Sequence, residues 1–167
     1  MGNIVLTGFM GSGKTVVAKQ LARLLGMKVI DVDTEIEKST KMTINTIFEH
    51  FGEPRFREIE TETIKQVSEN NNVIISTGGG AVLKQENIDA MRKKGIIICL
   101  TAAPETILKR TKSTRDRPLL LVENPLERIK ELLESRRPFY EKADVMIDTE
   151  RKTPLQIAEE IVEKIKE

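Results

Sequence analysis

Apolar residues along this chain follow two rhythms. Short runs rich in Val and Ile, namely Asn3–Thr7, Val29–Val32, Val73–Ser76, Ile96–Thr101 and Val145–Ile147, show no polar alternation. Between them lie longer amphipathic stretches, among them Thr15–Leu25, Arg55–Glu69, Gln85–Lys94 and Leu126–Arg137. The first rhythm predicts strands and the second predicts helices. Pro154–Lys166 adds a last helix, with Leu155, Ile157, Ala158, Ile161, Val162 and Ile165 on one stripe and Glu and Lys elsewhere. Strands alternating with helices predict the α/β class: a parallel sheet covered by helices on both faces, in three layers α/β/α. Strands buried on both faces need no polar positions, which accounts for the continuous apolar runs. The chain has no internal repeat and no low-complexity segment.

Two segments break the rhythm. Ser39–His50 interrupts it beside the second predicted strand. Lys112–Pro125 carries Arg115, Arg117, Pro118 and a Leu-Leu-Leu-Val run without helical period. A polar, basic segment of that length in a compact domain reads as a lid that closes over a ligand, with a plain surface loop as the alternative.

At 167 residues with 39% apolar side chains, the chain is expected to form a single domain, 1–167, with one core. Lys+Arg and Asp+Glu number 27 and 26, which leaves no global charge to draw the chain to nucleic acid or to a membrane. Cys99 is the only cysteine and sits in an apolar run, as a buried inert thiol would. The N-terminal residues lack the basic flank and long apolar stretch of a leader or a span, so a cytoplasmic protein is expected.

Gly8-Phe9-Met10-Gly11-Ser12-Gly13-Lys14-Thr15 matches G-x-x-x-x-G-K-[ST] between a predicted strand and a predicted helix. Glycines let successive amides curl around a phosphate, and the helix N-terminus adds partial positive charge. In such a loop Lys14 reaches the β- and γ-phosphates and the Thr15 hydroxyl ligates Mg²⁺. A chance glycine turn before a helix is the bland alternative, and the placement between strand and helix argues against it.

Asp31-Val32-Asp33 ends the second apolar run, where parallel α/β sheets gather ligands. One carboxylate can serve the Mg²⁺ shell and the other an acceptor hydroxyl; alternatively the pair caps a helix over Thr34–Lys38. Gly78-Gly79-Gly80 follows the third strand and allows close approach to the backbone, by a ligand or merely within a tight turn. Arg57 shares a segment with Glu60. Arg136 and Arg137 precede Pro138, where cations at a helix C-terminus are an ordinary finding. An arginine facing the acceptor would select a carboxylate, which its fork engages bidentately. His50, beside Phe51 and near Phe48, reads as a packing or surface residue.

Taken together, the phosphate loop, Asp31-Val32-Asp33, Ile47-Phe48, Phe56-Arg57 with Glu60, the triple glycine, Arg117-Pro118-Leu119-Leu120, Arg136 with Pro138 and Tyr140, and Ile147-Asp148-Thr149 with Pro154 resemble the shikimate kinase family over nearly the whole chain. The resemblance implies a fold like that of the nucleoside monophosphate kinases: a five-stranded parallel sheet, a substrate-binding region over about 32–60, and a lid over about 112–125. It implies ATP-dependent phosphorylation of the 3-hydroxyl of shikimate, with Mg²⁺ as cofactor. Gly11, Ser12, Gly13, Lys14, Thr15, Val16, Arg110, Arg117 and Pro154 would bind ATP. Arg57 and Arg136 would hold the shikimate carboxylate, with Glu60 orienting Arg57. Asp33 would act on the attacking hydroxyl, Gly78, Gly79 and Gly80 would add backbone contacts, and Phe48 and Phe56 would wall the ring. Asp33, Lys14 and Arg117 would be the catalytic groups, and Thr15 with Asp31 would serve the metal, Asp31 through water. The expected partners are small molecules alone, with the chain a monomer. The family often has glycine where Lys41 stands, so the Ser39–Thr43 turn is a place to expect a different shape. Rival readings are a related kinase acting on gluconate or a nucleoside monophosphate, and a non-catalytic sensor.

Overall fold

The structure, a computed structural model, describes residues 1–112 and 122–167. Five strands, β1 (Asn3–Thr7), β2 (Lys28–Asp31), β3 (Val73–Ser76), β4 (Gly95–Thr101) and β5 (Val145–Asp148), form one sheet in the order β2-β3-β1-β4-β5. Every neighbouring pair is parallel. Successive side chains point to opposite faces of the sheet, so each strand feeds two separate cores. Ile4, Leu6, Ile74, Ile98, Leu100 and Ile147 face one side, where α1 (Lys14–Leu25) covers them with Val17, Ala18 and Leu21. Beside it α7 (Pro154–Lys166) adds Ile157, Ala158 and Ile161. Val5, Ile30, Val73, Ile75, Ile97 and Cys99 face the other side.

That second face is covered by α2 (Val32–Thr40), α3 (Ile44–Ser68), α4 (Gln85–Lys94), α5 (Pro104–Thr111) and α6 (Pro125–Tyr140), through residues such as Ile36, Ile64, Met91, Ile107 and Ile129. The three-layer α/β/α arrangement expected from the apolar runs is therefore present, with the sheet buried on both faces. β1 lies at the centre, between β3 and β4. The connection from β1 to β2 leaves to one side and that from β3 to β4 crosses to the other. Crevices at such switch points are where open α/β sheets bind ligands.

The structure corrects the sequence reading at four places. Val32, expected to end the second strand, opens α2 instead, because the Asp31 side chain accepts from the Thr34 amide at 2.9 Å and caps the helix there. The Ser39–His50 segment is no interruption but the end of α2, a corner, and the first half of α3. Thr43 caps that half by accepting from the Thr46 amide at 3.1 Å. α3 bends at Gly52 (φ 79°), just before Pro54. Lys41 makes the corner in the left-handed conformation (φ 56°) that glycine adopts more readily. Finally, α6 runs through Pro138 to Tyr140 rather than stopping at Arg137. α5 went unread, since its eight residues give only two turns of pattern.

Candidate active site

The phosphate loop leaves the central strand and turns into α1. Gly8 (φ 138°) passes so close to the Leu100 carbonyl that no side chain fits, and Gly13 (φ 99°) enters α1 from the left-handed region. The Ser12 amide donates to the Phe9 carbonyl at 3.0 Å, which closes the loop on itself. Lys14 is 8% exposed, and its Nζ donates to the carbonyls of Gly8 at 2.5 Å and Phe9 at 3.0 Å. The ammonium is thus held by the backbone dipoles of its own loop.

A cleft of about 550 Å³ opens beside this loop. Its walls include Gly11, Gly13, Lys14, Thr15 and Val16 on one side, and Asp33, Phe48, Phe56, Arg57, Glu60 and Arg136 on the other. Asp31, at the carboxyl end of β2, also lines it, although one of its oxygens is engaged as the α2 cap. Asp33 stands in the first turn of α2 rather than on the strand, so both carboxylates meet the cleft by way of a strand-to-helix transition. Phe48 and Phe56, from the two halves of α3, bring their rings to 4.8 Å.

The triple glycine organises the acceptor side. None of the three takes a left-handed φ, so their lack of a side chain is explained by space. A Cβ on Gly78 would stand 3.2 Å from Glu60 Oε2 and 3.3 Å from Asp33 Oδ1. One on Gly79 would stand 3.1 Å from the Met10 amide and 3.6 Å from Arg136 Nη1, and one on Gly80 would fall inside the Arg57 guanidinium. Two acids, two arginines and the phosphate loop therefore converge on one short stretch of bare backbone.

Charge in this cup is held deep. Arg57 donates from Nη1 to Glu60 at 2.9 Å and from Nη2 to Glu53 at 3.2 Å. Burial opposes the Arg57 charge, but Glu60 and Glu53 together raise its pKa above the ordinary arginine value. Glu60 is fully buried, and burial raises its pKa while Arg57, Arg136 and Lys84 pull the other way. Arg136 is 4% exposed, lies against the Phe9 ring at 5.6 Å, and its Nη1 has no hydrogen-bond partner among the described residues. A buried guanidinium donor left unsatisfied is costly. An anion entering the cup would satisfy it.

A model of the shikimate kinase family matches residues 10–166. The chain belongs to the shikimate kinase family. Among its relatives in that family, the shikimate kinase of Thermodesulfovibrio yellowstonii is 54% identical over 98% of this chain and 95% of its own. That of Caldanaerobacter subterraneus is 50% identical over 97% and 95%. A solved shikimate kinase from Acinetobacter baumannii, in complex with shikimate, superposes with a TM-score of 0.96 at 38% identity, covering 99% of this chain and 93% of that one.

Within this shikimate kinase fold, the residues expected from the sequence fall in different places. Gly11, Gly13, Lys14, Thr15, Val16, Asp31, Asp33, Phe48, Phe56, Arg57, Glu60, Gly78, Gly79, Gly80 and Arg136 all line the one cleft. Ser12 is buried within the loop. Arg110 stands outside the cleft walls and braces the loop, donating to the Gly11 carbonyl at 3.1 Å and to the Thr149 hydroxyl at 3.4 Å. Pro154 is the first residue of α7, behind the Thr153 cap. Arg117 and most of the expected lid lie outside the described residues. Glu37, Thr43, Ile44 and Asn45, within the expected 32–60 region but not singled out there, also line the cleft. Glu37 accepts from the Ile44 amide at 3.1 Å, tying α2 to α3. The Ser39–Thr43 turn, named from the sequence, is the corner that brings them together.

Proposed function

We propose that the chain transfers the γ-phosphoryl group of ATP to the 3-hydroxyl of shikimate, giving shikimate 3-phosphate and ADP, within this cleft. The observation that carries the reading is the convergence of Asp33, Glu60, Arg57 and Arg136 on Gly78–Gly80, where a Cβ on Gly79 would stand 3.1 Å from the phosphate-loop amide of Met10. That geometry brings an anion-selective cup next to a triphosphate cradle.

In this reading Arg57 and Arg136 hold the shikimate carboxylate, and Glu60 fixes Arg57 in the fork geometry that a carboxylate needs. Phe48 and Phe56 wall the ring, and Asp33 accepts a hydrogen bond from the attacking hydroxyl or takes its proton. Lys14 leaves the Gly8 and Phe9 carbonyls for the phosphates. Phosphoryl transfer asks for alignment and for charge neutralisation more than for covalent chemistry, and these groups provide both. Arg110 and Pro154 flank the adenine; Arg117, expected to serve the phosphates, lies outside the described residues.

Magnesium fits the donor set. Among the described residues no cluster of three or more His, Cys, Asp or Glu could hold an ion alone. Mg²⁺ takes much of its shell from phosphate oxygens and water, so the Thr15 hydroxyl, with Asp31 through water, completes a site of that kind. The ion would neutralise charge on the phosphates. The same reading takes the protein as a monomeric single domain acting in the cytoplasm; no described helix is long and apolar enough to cross a membrane.

An ADP-coupled assay with ATP, Mg²⁺ and a panel of shikimate, gluconate and nucleoside monophosphates tests this. ADP release that depends on shikimate alone is expected. Release with another acceptor, or nucleotide binding without turnover on any of them, would contradict it.

A further inference from the structure

Tyr140 closes α6 one helical turn after Arg136, on the same face of the helix. Its hydroxyl donates to the Gly79 carbonyl at 2.5 Å, joining residues 61 apart in the chain. The ring is 6% exposed. A phenylalanine would fill that space equally well, so packing alone does not explain the hydroxyl, whose burial costs free energy unless it is bonded. Gly79 is also the residue where an added Cβ would stand 3.1 Å from the Met10 amide nitrogen and 3.6 Å from Arg136 Nη1. α6 therefore delivers two groups to one peptide: a guanidinium beside it and a hydroxyl that holds it.

We propose that Tyr140 is a positioning residue for the acceptor, fixing the Gly79 peptide so that the glycine backbone, Arg136 and the phosphate loop keep the spacing that shikimate requires. The proposal rests on the reading of the cleft as the shikimate site. Tyr140 touches no reacting atom; its hydroxyl donates to Gly79 and accepts from Arg136, and the proposal is that it acts through Gly79. Its hydrogen bond locks the turn from behind, leaving the front of the glycines bare.

The test is Tyr140→Phe in the full chain beside the wild type, with KM for shikimate and for ATP measured separately. Loss of one buried hydrogen bond acting on acceptor binding should raise the shikimate KM about 3–10-fold and leave the ATP KM within about twofold. KM is independent of how much enzyme is folded, so a loss of folded protein lowers the apparent kcat and leaves this readout intact. An unchanged shikimate KM, or an equal rise in both, would overturn the proposal. The double variant with Gly79→Ala adds a second check. If the hydroxyl works through Gly79, the two rises in shikimate KM combine to less than their product; a full product would overturn it. A wild type that ignores shikimate would instead overturn the reading of the cleft itself.

Discussion

The phosphate loop and the acceptor cup share one cleft, yet they are held in place by different kinds of interaction. The loop is organised largely locally, with Arg110 as a long-range brace on Gly11: Ser12 bonds back to Phe9, Lys14 spans Gly8 and Phe9, and backbone conformation at Gly8 and Gly13 sets the curve. The cup is assembled from α2, both halves of α3, the turn after β3 and the end of α6, with contacts that span long stretches of chain. A locally closed loop keeps its shape when distant residues change. A cup built from several elements depends on each of them. Substitutions in the cup should therefore alter the acceptor terms and spare nucleotide binding.

Asp33→Asn should test that separation most sharply. Turnover is expected to fall about 10²–10⁴-fold, the range of a positioned acid-base group, while ADP affinity by equilibrium titration stays at the wild-type value. Loss of ADP binding in the folded variant would show that the two halves are not independent. Next in size is the alkaline behaviour of Tyr140, the only tyrosine in the chain. Burial pushes its hydroxyl up to about 12, against an opposing pull from Arg136. With the folded value above the unfolded value near 10, its contribution is complete below about pH 10. It is lost as pH rises through 12, a change of about 3 kcal/mol at most. Denaturant unfolding at stepped alkaline pH should show the wild type losing stability faster than Tyr140→Phe. Parallel curves would mean the phenol is not held as described.

Arg136→Ala should raise the shikimate KM about 10–100-fold through loss of charge-assisted bonds, with the ATP KM unchanged. A matching rise in both would tie the arginine to the loop rather than to the cup. The smallest effect is expected far from either half, at the α2–α3 corner. Lys41→Gly relieves a left-handed lysine, partly offset by the greater freedom of glycine in the unfolded chain. A gain of about 0.5–1 kcal/mol is expected, seen as a rise of roughly 1–4 °C in Tm. No gain would mean that the Lys41 side chain contributes something that glycine cannot.

The same contrast explains what could be read from the sequence. The phosphate loop is eight consecutive residues whose spacing encodes its geometry, and the buried strands announced themselves by unbroken apolar runs. The acceptor residues were legible individually, and it was the family resemblance, not their spacing, that put them around one ligand. Nothing in the chain around Gly80 says that Arg57 occupies the space a side chain there would need. Arg136 looked like an ordinary cation before a proline, because Pro138 disguised the last turn of α6 that carries it inward. The helices flanking the Lys41 corner were hidden for a similar reason: α2 and the first half of α3, capped by Asp31 and Thr43, have too few turns each for a periodic signal.

The account depends above all on carboxylate recognition by the arginines around the triple glycine. The most direct measurement compares kcat/KM for shikimate with that for its methyl ester, in the wild type and in Arg136→Ala. The wild type should prefer the free acid by about a hundredfold, on the order of two charge-assisted hydrogen bonds, and the variant should lose most of that preference. Equal use of acid and ester by the wild type, or a preference that survives intact in Arg136→Ala, would contradict it.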